Sequence, residues 1–250
     1  PTLLHDAQRD IQGKFVLTPD SRRAVYVTDC SFGTCGMGQL FVAPLDGSGP
    51  PYALNAATTP AATGDFAFSA DWIVFRQPLE SAQGQGLYTV PLDGSRAPVC
   101  QHPPLGPGGR AFTFTEGRRP RFSPDGERIV FLLDPDGHHP EVYSGPIDGG
   151  APPVKLNATL PDGGQVLTFR ITADGGRVVY IADQELLGTF ELYVVPIAGG
   201  AVPRKLNAPL VSGGGVFTFE LSPDGQHLAY VADQELDGRF EAYLAALDPG

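Results

Sequence analysis

Residues 168–183 read TFRITADGGRVVYIAD and residues 218–233 read TFELSPDGQHLAYVAD, so one pattern returns after fifty residues. An acidic loop follows each copy, QELLGTFELY at 184–193 and QELDGRFEAY at 234–243. A period of this length makes the chain repeat one supersecondary unit, each copy burying apolar surface on the next. The turn aspartate locates fainter copies: Asp20, Asp71, Asp125, Asp174 and Asp224 lie 49 to 54 residues apart. Each follows a short apolar segment, at 15–17, 66–68, 121–122, 169–171 and 219–221. Each precedes a second strand centred on Tyr26, Phe75, Phe131, Tyr180 or Tyr230, then a third centred on Phe41, Tyr88, Tyr143, Tyr193 or Tyr243. Four of the third strands run into Pro-Leu or Pro-Ile and a turn such as Asp46-Gly47 or Asp148-Gly149. A short fourth strand follows, as at 154–157 and 204–207.

The turn and strand chemistry agree. Asp-Gly supplies the positive φ of a tight hairpin. The intervening segments are β-branched and aromatic, as strands prefer. No helical period of any length is present, and the prolines would interrupt one. The pattern predicts an all-β chain of four-stranded antiparallel sheets with apolar residues on both faces. Such sheets need cover on both sides, and radial stacking provides it. Five repeats predict a five-bladed β-propeller as a single domain over 1–250, with blades near 13–58, 64–103, 111–160, 166–210 and 216–247 plus 1–6. The last repeat stops after its third strand. Thr2-Leu3-Leu4-His5-Asp6 matches the fourth strand it lacks, as in Arg204-Lys205-Leu206-Asn207-Ala208. An N-terminal strand that completes the last blade would close the ring and leave no free stack end.

The Ser-Pro-Asp-Gly turns at 123–126 and 222–225, each followed by an apolar strand, carry a family likeness. They resemble the PD-repeat of the TolB-like, WD-like β-propellers, and the resemblance covers nearly the whole chain. It implies the propeller fold. That family includes partner-binding periplasmic proteins and accessory domains of peptidases. On this resemblance the chain is expected to differ from the type member, with five repeats rather than six blades and without its N-terminal domain.

Charge narrows the partners. The formal net charge of −11 repels phosphate backbones, so no nucleic-acid partner is expected. A local basic cluster, Arg110, Arg118, Arg119, Arg121 and Arg128, is diluted by Glu116 and Glu127. No apolar run approaches the roughly 20 residues of a membrane-spanning helix. Cys30 and Cys35 flank Ser-Phe-Gly-Thr, and a disulfide across that bend is geometrically reasonable. It would place the chain in an oxidising compartment, periplasmic or secreted. Cys100 sits where sister repeats carry leucine and is expected to be a buried apolar substitute. The chain begins at Pro1 rather than methionine, as a mature or trimmed product would.

Candidate site residues fall on one rim and in the channel. The hairpins joining strands 1–2 and 3–4 lie on one rim, where they are short and repetitive. The 2–3 loops and the links between repeats lie on the other rim and vary, as binding loops do. There the longer link at 103–120 offers Phe112, Phe114 and Arg118 as a contact surface for a protein partner. His5, His102, His138 and His139 fall near this rim. His102 with the His138-His139 pair and Asp134 or Asp136 would suit a transition metal, or they are solvated loop histidines. Asp134 and Asp136, and likewise Asp233, Glu235 and Asp237, alternate like the start of a calcium loop, or they are turn aspartates. Lys14, Asp65, Arg119, Arg121, Arg170 and Glu220 lie on or beside innermost strands and would line a polar channel, with or without a ligand. No nucleophile elbow, P-loop or dinucleotide glycine fingerprint is present. The expected function is a non-catalytic binding propeller of the cell envelope or extracellular space. The alternative is a hydrolase with a pocket at the channel mouth, acting on a glycan or ester.

Overall fold

The computed structural model describes residues 10–29, 39–55, 66–78, 85–111 and 117–248, and every regular element among them is a β-strand. They group into two compact units, one of Pro1–Pro103 with Ile147–Pro152 and one of Pro104–Pro146 with Pro153–Gly250. The expected closing strand at 1–6 lies outside the described residues.

The first unit holds two sheets. Strands β1 (Asp10–Leu17), β2 (Arg23–Asp29), β3 (Gln39–Pro44) and β4 (Tyr52–Ala53) pair antiparallel in chain order. Strands β5 (Phe66–Phe68), β6 (Trp72–Pro78), β7 (Gln85–Pro91) and β8 (Val99–Cys100) do the same. Val25, Leu40, Val42 and Leu54 of the first sheet share one buried cluster with Ile73, Phe75, Val90 and Leu92 of the second.

The second unit holds three sheets. In its first, β9 (Arg110–Ala111) and β10 (Arg121–Phe122) both pair with β11 (Arg128–Asp134), followed by β12 (Glu141–Pro146) and β13 (Val154–Lys155). The middle sheet is β14 (Val166–Ile171), β15 (Arg177–Ala182), β16 (Glu191–Pro196) and β17 (Arg204–Lys205). The last has three strands among the described residues: β18 (Val216–Leu221), β19 (His227–Ala232) and β20 (Glu241–Ala246). The middle sheet is covered on both faces: Val178, Tyr180 and Tyr193 pack with Val130 and Val142, while Val179, Ile181 and Val194 pack with Phe219 and Tyr230.

The aromatic read from each second strand sits directly opposite the aromatic of the third. The pairs are Tyr26–Phe41, Phe75–Tyr88, Phe131–Tyr143, Tyr180–Tyr193 and Tyr230–Tyr243. Each pair is stacked, with ring centroids 5.3 to 6.0 Å apart. Direct cross-strand aromatic pairs stabilise and fix register.

Four of the five first hairpins use one device. The hydroxyl of Thr18, Ser123, Thr172 or Ser222 accepts the N–H five residues on, from Arg23, Arg128, Arg177 or His227. The turn aspartate two residues after the hydroxyl accepts the N–H two further on. In three of the four a glycine such as Gly126 takes the positive φ, here 74°. The hairpin of the second sheet is shorter, and Ser69 Oγ accepts from Trp72 N only three residues on.

One side-chain expectation is corrected. Cys100 is exposed rather than buried, because it pairs with Tyr88 as Lys155 pairs with Tyr143 and Lys205 with Tyr193. The leucine position belongs to Gln101, whose N–H bonds Leu87 O as that of Leu54 bonds Leu40 O. Gln101 is buried, and its Nε2 donates to Thr89 Oγ1 and Ile147 O at 2.8 and 3.0 Å. A polar side chain replaces the leucine because partners are in reach.

Candidate functional site

In the second unit the 2–3 loops are stapled by the aspartate that ends or follows each second strand. Asp183 Oδ1 accepts from Gln165 N at 2.6 Å and its Oδ2 from Gly188 N at 3.0 Å. Asp233 repeats this with Gly215 N and Gly238 N, at 2.6 and 3.0 Å. Asp134 accepts from His139 N at 3.1 Å. Each staple ties a loop to itself, and the two later ones also hold the incoming link. The links are tied to the preceding sheet as well, through Val166 N to Pro140 O and Val216 N to Phe190 O. Backbone held at so many points is preorganised, which lowers the ordering cost of binding.

This stiff rim presents apolar side chains. Leu186 and Leu187 project from the loop of the middle sheet, and Leu236 from that of the last. Phe217 and Phe240, at the same end of the last sheet, meet edge-to-face with centroids 4.4 Å apart. All five are more than half exposed. A paired aromatic step left in water is the kind of anchor that concentrates binding energy at protein interfaces. Sequence reasoning placed the contact surface on Phe112 and Phe114, which lie outside the described residues. The available signal was a difference between the two best repeats: Phe217 stands where the preceding copy has Leu167, and that leucine is only half-exposed.

The inner-strand residues partly assemble. Arg121 on β10 feels the charges of Arg170, Glu220 and Arg119. Burial, then the repulsion of Arg170, lowers the proton affinity of the Arg121 guanidinium, and Glu220 opposes this. Arg121 Nε is buried without a hydrogen-bond partner. Arg170 donates to Phe169 O at 3.0 Å and to Thr168 Oγ1 at 3.3 Å. Arg118 is half-buried in the 117–120 turn. Asp65 and the side chain of Lys14 lie outside the described residues.

The histidines have structural partners. His139 Nε2 accepts from Gly163 N at 3.2 Å, and its Nδ1 stands 3.2 Å from Asp136 Oδ2. Asp162 Oδ1 stands 3.6 Å from Nε2. His138 gives its backbone N–H to Asp136 at 3.1 Å. His102, in the first unit, holds Pro103 O at 2.8 Å through Nδ1, and its Nε2 is buried without a partner. Burial lowers its proton affinity, so the ring is held neutral.

Both carboxylate oxygens of Asp233 are taken by backbone N–H groups, and Glu235 and Asp237 are exposed beyond it. Among the described residues, no three of His, Cys, Asp and Glu gather to hold a metal ion. Cys30 and Cys35 lie outside those residues. No helix among them is long and apolar enough to cross a membrane.

Neither a family model nor a curated protein matches the sequence. Among solved structures, the chain is similar to oligopeptidase B from Leishmania major, at 10% identity over 97% of this chain and 32% of that one, with a TM-score of 0.58. It is similar to a prolyl endopeptidase at 14% identity over 97% of this chain and 34% of that one, with a TM-score of 0.56. It is also similar to TolB from Acinetobacter baumannii, at 18% identity over 94% of this chain and 54% of that one, with a TM-score of 0.45. The chain thus spans about a third of either peptidase. At these identities the likeness speaks to fold alone: an all-β build of blade-like, four-stranded antiparallel sheets, as in β-propellers.

Proposed function

We propose that the chain is a five-bladed, TolB-like propeller that binds a protein partner without catalysis, in the cell envelope or extracellular space. In this reading the strand at 1–6 closes the ring, and the 2–3 loop rim is the docking face. The exposed Phe217–Phe240 pair on the stapled rim, with Leu186, Leu187 and Leu236 at the same end of neighbouring sheets, is the observation that carries it. Monomeric proteins seldom leave such a set of large apolar side chains in water without a use. The periplasmic location rests on the PD-repeat resemblance.

A photo-cross-linking amino acid at position 240, in cells that make the protein, tests the reading. A discrete protein adduct is expected there, and none from the same group at Asp46 on the hairpin rim. The adduct should vanish when Phe217→Ser is added. Adducts at position 46 and none at 240 would reverse the docking face.

A further inference from the structure

The hairpin rim of the first unit breaks the repeat at one place. Four sheets start their second strand with a basic residue, Arg23, Arg128, Arg177 or His227, opposite Pro44, Pro146, Pro196 or Ala246. The second sheet starts it with Trp72, opposite Pro91, and this is the chain's sole tryptophan. Its hairpin has also lost two residues: Ser69 bonds Trp72, where Thr18 bonds Arg23 five residues on. Asp71 holds the sequence place of the turn aspartate but stands directly beside the tryptophan.

A cleft of about 390 Å³ opens where the turn is missing, lined by Trp72, Asp71, Asp93, Asp148, Arg23 and Arg96 among others. This volume sits at the small end of the roughly 300–1,000 Å³ of small-molecule sites. Asp93 and Asp148 each spend Oδ1 on their own turn, accepting from Ser95 N and Gly150 N at 2.9 Å. The Ser95 side chain also bonds the Asp93 carboxylate, and the remaining lone pairs of the two carboxylates can accept from a ligand. Arg23 and Arg96 supply planar forks of donors.

We propose that this cleft binds one ring of a neutral carbohydrate. The three carboxylates outnumber the two guanidinium groups, which disfavours an anion. Acceptors and donors set side by side suit hydroxyl groups, each of which gives one proton and receives another. An indole face suits the C–H face of a pyranose, which is apolar while its edge is polar. The cleft lies within the first unit, among its hairpin turns, and does not depend on the proposed docking face of the second.

Trp72 reports on its own cleft, because all indole fluorescence of the chain comes from it. The intact chain is titrated with methyl glycosides of glucose, galactose, mannose and N-acetylglucosamine, with sodium glucuronate, and with Nα-acetyl-lysine methylamide. A saturable fluorescence change in the millimolar range is expected with at least one neutral glycoside. Arg96→Ala, at an exposed position, should weaken it about tenfold, the scale of one lost hydrogen bond from a charged group, with an unchanged melting temperature. Asp71→Asn should weaken it as well. A response to glucuronate or to the lysine derivative alone would overturn the assignment in favour of a charged ligand. Fluorescence that no neutral glycoside changes saturably, or a response indifferent to Arg96→Ala, would overturn it too.

Discussion

His102 occupies the position where three of the other sheets carry an asparagine. Asn55, Asn157 and Asn207 each turn Oδ1 to accept a third-strand N–H, from Leu40, Val142 and Leu192 at 2.7 to 2.9 Å. In the second sheet the imidazole leaves a buried Nε2 without a partner, and burial holds its pKa below the ordinary 6.5. The unfolded chain therefore takes up a proton as pH falls through 6.5, while the folded chain resists until lower pH. Stability is lost across that interval and is fully present above it. His102→Asn should restore the amide bond, raise stability by about 1 kcal/mol, and flatten the melting temperature between pH 7 and 5. A second window lies lower. The hydroxyls of Thr18, Ser123, Thr172 and Ser222 hold Asp20, Asp125, Asp174 and Asp224 below the usual 3.8. Their folded pKa values are depressed, so their contribution is present above that value and lost as pH falls through it. Melting curves of the wild type and the His102→Asn variant should separate in the first window and run parallel in the second. At the staples, Asp183→Ala removes two backbone hydrogen bonds to a buried carboxylate and should cost about 2 kcal/mol by denaturant unfolding.

At the scale of strands and turns, most of the architecture was legible, because local chemistry repeats with the period. The five turn aspartates located the hairpins, and the aromatics of the second and third strands turned out to face each other. The errors have physical sources. Cys100 was aligned one position off because the fourth strand is only two residues long and carries no alternation to fix its register. The Asp71 hairpin was grouped with its sisters because its aspartate keeps the spacing, while the deletion lies after it. Phe112 and Phe114 lie outside the described residues, and the exposure of Phe217 and Phe240 depends on what covers them and not on their own residue type. Replacing both with serine should leave the melting temperature within about 0.5 kcal/mol of stability, as for exposed sites, while abolishing partner cross-linking at Leu236. The hairpin glycines predict the opposite behaviour. Gly126 has a φ of 74° and nothing within 4 Å of a built Cβ, so Gly126→Ala should cost about 1 kcal/mol from backbone strain alone and leave binding untouched.

In the middle sheet Val179, Ile181, Leu192 and Val194 are buried by the sheet that follows. Their counterparts in the last sheet are Ala229, Val231, Ala242 and Leu244, and Leu244 is 81% exposed. This face keeps the apolar character of a covered one. A ring closed by residues 1–6, as proposed, would cover it and supply the missing fourth strand together. Leu244→Asp distinguishes the two states. On a covered face it trades a buried leucine for an unpaired charge and should cost at least about 2 kcal/mol. On a face left in water the same change should be neutral to within about 0.5 kcal/mol. Replacing Thr2 to Asp6 by a Gly-Ser stretch should lower the melting temperature in the closed ring and make Leu244→Asp harmless in that background. A large Leu244→Asp penalty that survives the replacement would mean that something other than the N-terminal strand holds the cover in place.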